Sequence, residues 1–377
     1  TSKFIFESGS GSYVTSNGFI TSYTNLMGGS IQNSEMSHTG LVTTFAGSAG
    51  STGSANGAGT SARFKNPNEI TTDGKNLYLA DGNHMIRKIV ISTGVVSTLA
   101  GTAGSSGSAN GTGTSARFNN PTGVTTDGAN LYVADTNNHT IRKIVLSTGV
   151  VTTLAGAAGA EEHTDGTGSS ARFKYPFGIT TDGNNLYVSS NQTIRKIVIS
   201  TGVVTTLAGT AGSQGSTNAT GTSAKFNNPT GLTTDGTNLY LSDYSGQKIR
   251  KIVISTGVVT TLANVGWPYG ITTDGTNLYV AEYYNHRIRK IVISTGALTT
   301  VAGSAGSSGS TNARGTLAKF NRPRGITTDG TNLYVTEYFN HSIRKISNVT
   351  NALAAGHYHT CALTDNASVK CWGRNNQ

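Results

Sequence analysis

The stretch GVTTDGANLYVADTNNHTIRKIVLSTGVVTTLAG, residues 123–156, decides the fold. It holds four short segments, GVTT, NLYVA, TIRKIVL and VVTTLAG, rich in Val, Ile, Thr and Tyr. Turn signals separate them at Asp127-Gly128, Asn137-Asn138 and Thr148-Gly149. These residue types bend the chain back within a few residues. No segment carries helical periodicity, so the unit reads as a four-stranded antiparallel meander.

Outward from this unit, its TTDG phrase recurs with Asp at 73, 127, 182, 235, 274 and 329, at spacings of 54, 55, 53, 39 and 55. The fold class is therefore all-β, a six-bladed β-propeller of four-stranded antiparallel blades, which protects its strand edges by closing into a ring. The sixth unit runs through IRKIS and then lacks the VVTTLAG strand, while LVTTFAG stands alone at 41–47, ahead of the first unit. That N-terminal strand is expected to complete the sixth blade and tie the chain ends together. The domains then read as an N-terminal extension at 1–40 with strand-like FIF and GFITSY, a propeller at 41–346, and a C-terminal hairpin segment at 347–377.

Composition narrows the class further. With 49 Gly against 6 Pro in 377 residues, the chain is neither collagen-like nor a Pro-rich linker. Charged residues are 12%, about half the usual globular share of roughly 25%. No apolar run approaches the ~20 residues of a membrane-spanning helix. The opening at Thr1 without a Met reads as a processed form, and low charge with abundant Gly, Ser and Thr fits a secreted or cell-surface protein.

Two resemblances follow from quoted residues. NLYVADTNNHTIRKI, with Asn138-His139, resembles the NHL repeat, and ARFNNPTGV resembles the stretch preceding such repeats in bacterial extracellular proteins. The likeness covers residues 41–346 and implies a six-bladed propeller, matching the count of units. ALAAGHYHTCALTDNASVKCWGRN, residues 352–375, resembles the start of a regulator-of-chromosome-condensation-type repeat, which stops short of a second propeller.

In a meander, the b–c turns and the d–a crossovers share one face. Five crossovers are long and Gly/Ser-rich, but the fourth-to-fifth is only ANVGWPYG, which is expected to leave a notch. Trp267 and Tyr269 lie in that crossover, and Tyr283 and Tyr284 in the b–c turn of the same blade. One reading is an aromatic ligand-binding cleft; the other is Trp267 plugging the vacated space as core.

The same face carries 24 basic against 9 acidic side chains. Arg195, Lys196, Lys248, Arg287, Arg322 and Arg324 are the candidate polyanion contacts, and some NHL domains bind RNA on such a face. The opposing reading pairs each strand-c arginine with an acid across the b–c turn, as Asp135 with Arg142. Blade 3 has Ser190 at the acid position, which leaves Arg195 unpaired in that scheme. His84, His139, His286 and His341 recur at the b–c turns and read as turn-stabilising residues rather than metal ligands. Glu161, Glu162 and Asp165 form a weak calcium candidate without a known loop spacing. Cys361 and Cys371 fall opposite each other in a hairpin and form a candidate disulfide.

No nucleophile elbow, phosphate loop or supported carboxylate pair is present. The expected function is a non-catalytic binding or adhesion scaffold without a cofactor, facing a protein or carbohydrate at the cell surface. The alternatives are an assembly subunit self-associating through 1–40 and 347–377, and a polyanion receptor.

Overall fold

A computed structural model describes residues 40–347, together with the backbone of strands Leu353–Ala355, His359–Leu363 and Val369–Gly373. Residues 1–39, which hold most of the expected strand-forming extension, lie outside the described residues. The ring is a six-bladed propeller. Blade 2 shows the plan: strand a at Val124–Thr126, b at Asn130–Asp135, c at Thr140–Val145 and d at Val150–Ala155. Blade 6 takes strands a to c from Pro323–Thr328, Asn332–Glu337 and Ser342–Ser347, and strand d from Leu41–Gly47. The closing strand runs antiparallel to strand c, from Leu41 opposite Ser347 to Gly47 opposite Ser342.

The four-strand expectation is incomplete at the rim. The crossovers add a two-residue fifth strand to four blades, at Gly57–Ala58, Gly111–Thr112, Gly166–Thr167 and Ala313–Arg314. In blade 4 the same path makes one bridge, Thr220 to Val258. Only in blade 5 is the crossover too short to reach the rim. An outer strand presents unpaired N–H and C=O groups, and the long crossovers satisfy them. Their Phe residues, such as the fully buried Phe118, pack between neighbouring blades with Ile86 on one side and Val133 on the other.

At the axis the blades meet through glycine. A Cβ on Gly123 would sit 2.1 Å from the carbonyl of Phe177, so only glycine allows this approach. At the opposite end of strand a, each TTDG aspartate closes the a–b turn. Asp127 Oδ1 accepts from the N–H of Ala129 and Asn130 at 2.9 and 2.6 Å, and Oδ2 from the Tyr132 hydroxyl at 2.8 Å. Burial alone would raise this carboxyl, but the hydrogen bonds hold it below its ordinary value.

Candidate functional site

The face of b–c turns and crossovers is built on a repeated buried unit. Arg142 is fully buried and donates to Asp135 Oδ2 at 2.9 Å, to Asn110 Oδ1 at 2.9 Å, and to the carbonyls of Arg117 and Ala109. Its guanidinium lies 5.2 Å from the centroid of the Phe118 ring. Arg87, Arg250 and Arg344 repeat the pattern with Asp81, Asp243 and Glu337. These four pairs bury four of the 24 basic side chains counted on the face against acids of the same face.

Arg195 is a correction. It is not unpaired: crossover residue Asp165 accepts from its Nη2 at 2.7 Å, replacing the acid missing at Ser190. With its side chain 1% exposed, Arg195 cannot present itself to a polyanion. The same contact removes Asp165 from the calcium candidate. Glu161 is held by Lys174 at 2.9 Å and by the Tyr175 hydroxyl, while Glu162 is exposed. The three carboxylates therefore do not converge.

Lys196 is half-buried in register with Tyr187 and Thr205. Lys248 donates to the Gly246 carbonyl at 3.2 Å, and Arg287 Nε donates to Glu282. The turn histidines join blades: His84 Nδ1 accepts from Asn120 N–H at 3.0 Å, and His139, His286 and His341 do the same for Tyr175, Arg322 and Asn66. The backbone register sets residue 361 opposite residue 371.

Arg322 and Arg324 behave differently, and the aromatic residues explain why. In every blade a residue with positive φ precedes the Pro that leads into strand a: Asn66, Asn120, Tyr175, Asn228, Trp267 and Arg322. The residues after Pro are Asn68, Thr122, Phe177, Thr230, Tyr269 and Arg324. Blades 1, 2 and 4 thus carry small polar residues at both rings, and blades 3, 5 and 6 carry aromatics or arginine. Tyr244, Tyr283, Tyr284, Tyr338 and Phe339, from the b–c turns of blades 4 to 6, complete one continuous patch.

The contacts are dense. Tyr244 lies 5.4 Å from Trp267 and 5.6 Å from Tyr269, and Tyr283 lies 5.0 Å from Tyr284, between ring centroids. Arg322 is enclosed by Tyr283, Tyr284 and Phe339 at 5.3, 5.0 and 4.5 Å. Arg324 is enclosed by Phe177, Tyr269 and Tyr338 at 5.5, 4.7 and 4.5 Å. Arg324 donates to the Tyr269 hydroxyl, and no acidic side chain among the described residues forms an ion pair with either arginine. Tyr284 and Phe339 remain exposed at 44% and 42%.

The structure therefore gathers the four aromatics expected around the short crossover, and joins to them two arginines assigned separately to anion binding. Trp267 is half-buried on the face, not in the core. Phe177, Tyr244, Tyr338 and Phe339 were missed. Comparing the residues flanking each Pro, blade by blade, would have found Phe177; the others sit right after strand b, at Asp243 and Glu337.

Beneath the patch, Glu69 occupies blade 1's place in the axial glycine ring and lines a small axial cavity with Thr71 and its equivalents. Its Oε1 is buried without a hydrogen-bond partner. Burial pushes its carboxyl up to about 8 against the opposing charge of Arg324. The unfolded chain loses this proton near its ordinary value of 4.5, and the folded state keeps it to about 8, so Glu69 lowers stability progressively across that window. Glu69→Gln is expected to be increasingly more stable than the parent from pH 5 to 8, by a few kcal/mol at most. Urea melts of the two proteins that stay parallel over this range would contradict the assignment.

The fold is a six-bladed β-propeller, and this face carries one continuous patch of aromatic rings and two arginines. Residues 118–144 match the NHL repeat, and residues 351–377 match the regulator of chromosome condensation (RCC1) repeat. Human NHL repeat-containing protein 2 is 34% identical over 144 residues, covering 35% of this chain and 20% of that protein. The Bos taurus protein of that name is 40% identical over 104 residues, covering 26% of this chain and 14% of that protein. The chain thus spans a fifth or less of these relatives' length. Among solved structures, a Bacteroides thetaiotaomicron protein of unknown function aligns with TM-score 0.62 at 19% identity, over 81% of this chain and 75% of that one. An auxiliary nutrient binding protein of the same organism aligns with TM-score 0.60 at 17% identity, over 81% and 76%. At these identities the two structures speak for the fold alone.

Proposed function

We propose that the protein is a non-catalytic binding propeller, acting outside the cytoplasm, whose aromatic half-face takes a carbohydrate bearing carboxylate or sulfate groups. The observation that carries this reading is the pair Arg322 and Arg324, held between rings and in no ion pair among the described residues, with only the buried Glu69 carboxyl near Arg324. Every strand-c arginine, by contrast, has a carboxylate partner. Exposed rings offer flat apolar surfaces to sugar rings, and guanidiniums bind anionic groups through paired N–H donors. Both requirements meet on blades 5 and 6.

An oligosaccharide array, followed by calorimetry, tests this. Tyr284→Ala and Phe339→Ala are expected to weaken binding at least tenfold for acidic and neutral sugars alike. Arg322→Ala should weaken acidic sugars only, and in a salt-dependent way. An array without a hit, or an Arg322→Ala variant with unchanged preference, would falsify the reading. The extracellular placement rests on composition and on the opposed positions 361 and 371. It predicts an intact mass lower by two hydrogens before reduction, and two free thiols in protein secreted by its natural host would overturn it.

A further inference from the structure

We propose that the outer rim of blade 5 is a docking site for an extended segment of a partner polypeptide. That segment completes the blade as a fifth strand and supplies an asparagine or aspartate side chain to Arg289. This is a second site, separate from the aromatic face.

The other five blades show what belongs there. In each, the crossover brings a carboxamide or carboxylate to the strand-c arginine: Asn56, Asn110, Asn218 and Asn312 at 2.8–2.9 Å, and Asp165 at 2.7 Å. Two crossover carbonyls also accept from that guanidinium, and a crossover Phe lies 5.1–5.3 Å away, centroid to guanidinium. Blade 5 has none of these. Arg289 donates through Nε to the Thr299 carbonyl at 3.1 Å and lies 3.6 Å from Glu282.

Among the described residues, the strand beside it is bare as well. In blade 4 the crossover takes the N–H of Val259 onto the Ala219 carbonyl and gives the N–H of Gly221 to the Gly257 carbonyl, both at 2.9 Å. Val259 lies opposite Ile252, as Leu298 lies opposite Ile291 in blade 5. The equivalent groups, Leu298 N–H and Gly296 C=O, face the side where no crossover strand runs. Between blades 4 and 5 the partly buried Leu262, Ala263, Ile293 and Leu298 border the gap, and no Phe joins that cluster.

A row of alternating backbone donors and acceptors is read by another backbone. The guanidinium beside it selects an Asx side chain, as it does in five internal examples. The crossovers of a folded second copy are already seated on its own blades, so among the described residues none is free to fill the gap. The occupant we propose is therefore a segment of a different protein.

The probe is the chain's own crossover as a labelled peptide, GSSGSANGTGTSARFNN, residues 104–120, titrated into the full chain. Saturable binding is expected. It should weaken at least tenfold with Arg289→Ala in the protein and with Asn110→Leu in the peptide, while Arg289→Ala still melts in one cooperative transition within a few degrees of the parent. Absence of saturable binding, or binding indifferent to either substitution, would overturn the proposal. Sedimentation showing that the chain dimerises and that Arg289→Ala makes it monomeric would overturn the choice of partner in favour of a second copy.

Discussion

A chain lacking Leu41–Gly47 is expected to lose its single cooperative unfolding transition. Strand d of blade 6 is the one strand whose blade-mates lie at the far end of the sequence, paired from Leu41–Ser347 to Gly47–Ser342. It carries Val42 and Ala46, both fully buried, into two different interblade cores. Without it, strand c of blade 6 becomes a bare edge and the ring opens between blades 6 and 1. The entropy of joining the chain ends is then offset only by the remaining contacts between blades 6 and 1, such as Asn66 N–H to His341 Nδ1 and the Thr336 hydroxyl to the Asn68 carbonyl. Fraying should spread from blade 6, because each blade is buried only by its neighbours. Calorimetry should show a broad transition at lower temperature, with limited proteolysis cutting first in residues 304–347. A deletion variant that melts like the parent would show that the ring is not closed by this strand.

The second large effect comes from a side chain. Arg142→Ala is expected to destabilise the protein by about 3–5 kcal/mol, because it leaves a buried carboxylate without its cation. Asp135 and Asn110 lose a donor, as do the carbonyls of Arg117 and Ala109, and the Phe118 ring loses its cover. Burial already raises the Asp135 carboxyl to about 6, opposed by hydrogen bonds from Asn119 and Asn138 and by Arg142. Removing Arg142 raises it further. The unfolded chain still ionises near 3.8, so the loss should grow as pH rises above that value. Arg289→Ala, at the same position in blade 5, is the control: with no crossover partners to strand, it should lose about 1 kcal/mol or less. Equal losses at the two positions in denaturant titrations would contradict the account of both blades.

How much of this was legible in the sequence differs by element. The blade count, the a–b turns and the closing strand are local patterns. Turn dipeptides, strand-forming residues and one orphan LVTTFAG are written within single repeats, and a closed ring is the only way six identical edges are all satisfied. The acid–arginine pairing was also readable in five blades, since Asp135 and Arg142 straddle one turn.

What could not be read is what the ring brings together. Asp165 reaches Arg195 from 30 residues away in sequence, because the crossover doubles back along the rim of its own blade. The aromatic patch draws residues from blades 3 to 6, and its meaning depends on their lying side by side around an axis. Composition could count the arginines on a face, but not tell those buried against an acid from the two that rings enclose. Repetition determined the architecture, because within the blades each strand's partner is its neighbour in sequence, the closing strand Leu41–Gly47 excepted. Tertiary structure decided the site, because closing the ring sets residues from different blades next to one another, and there burial and partner, not residue type, govern what a charge does.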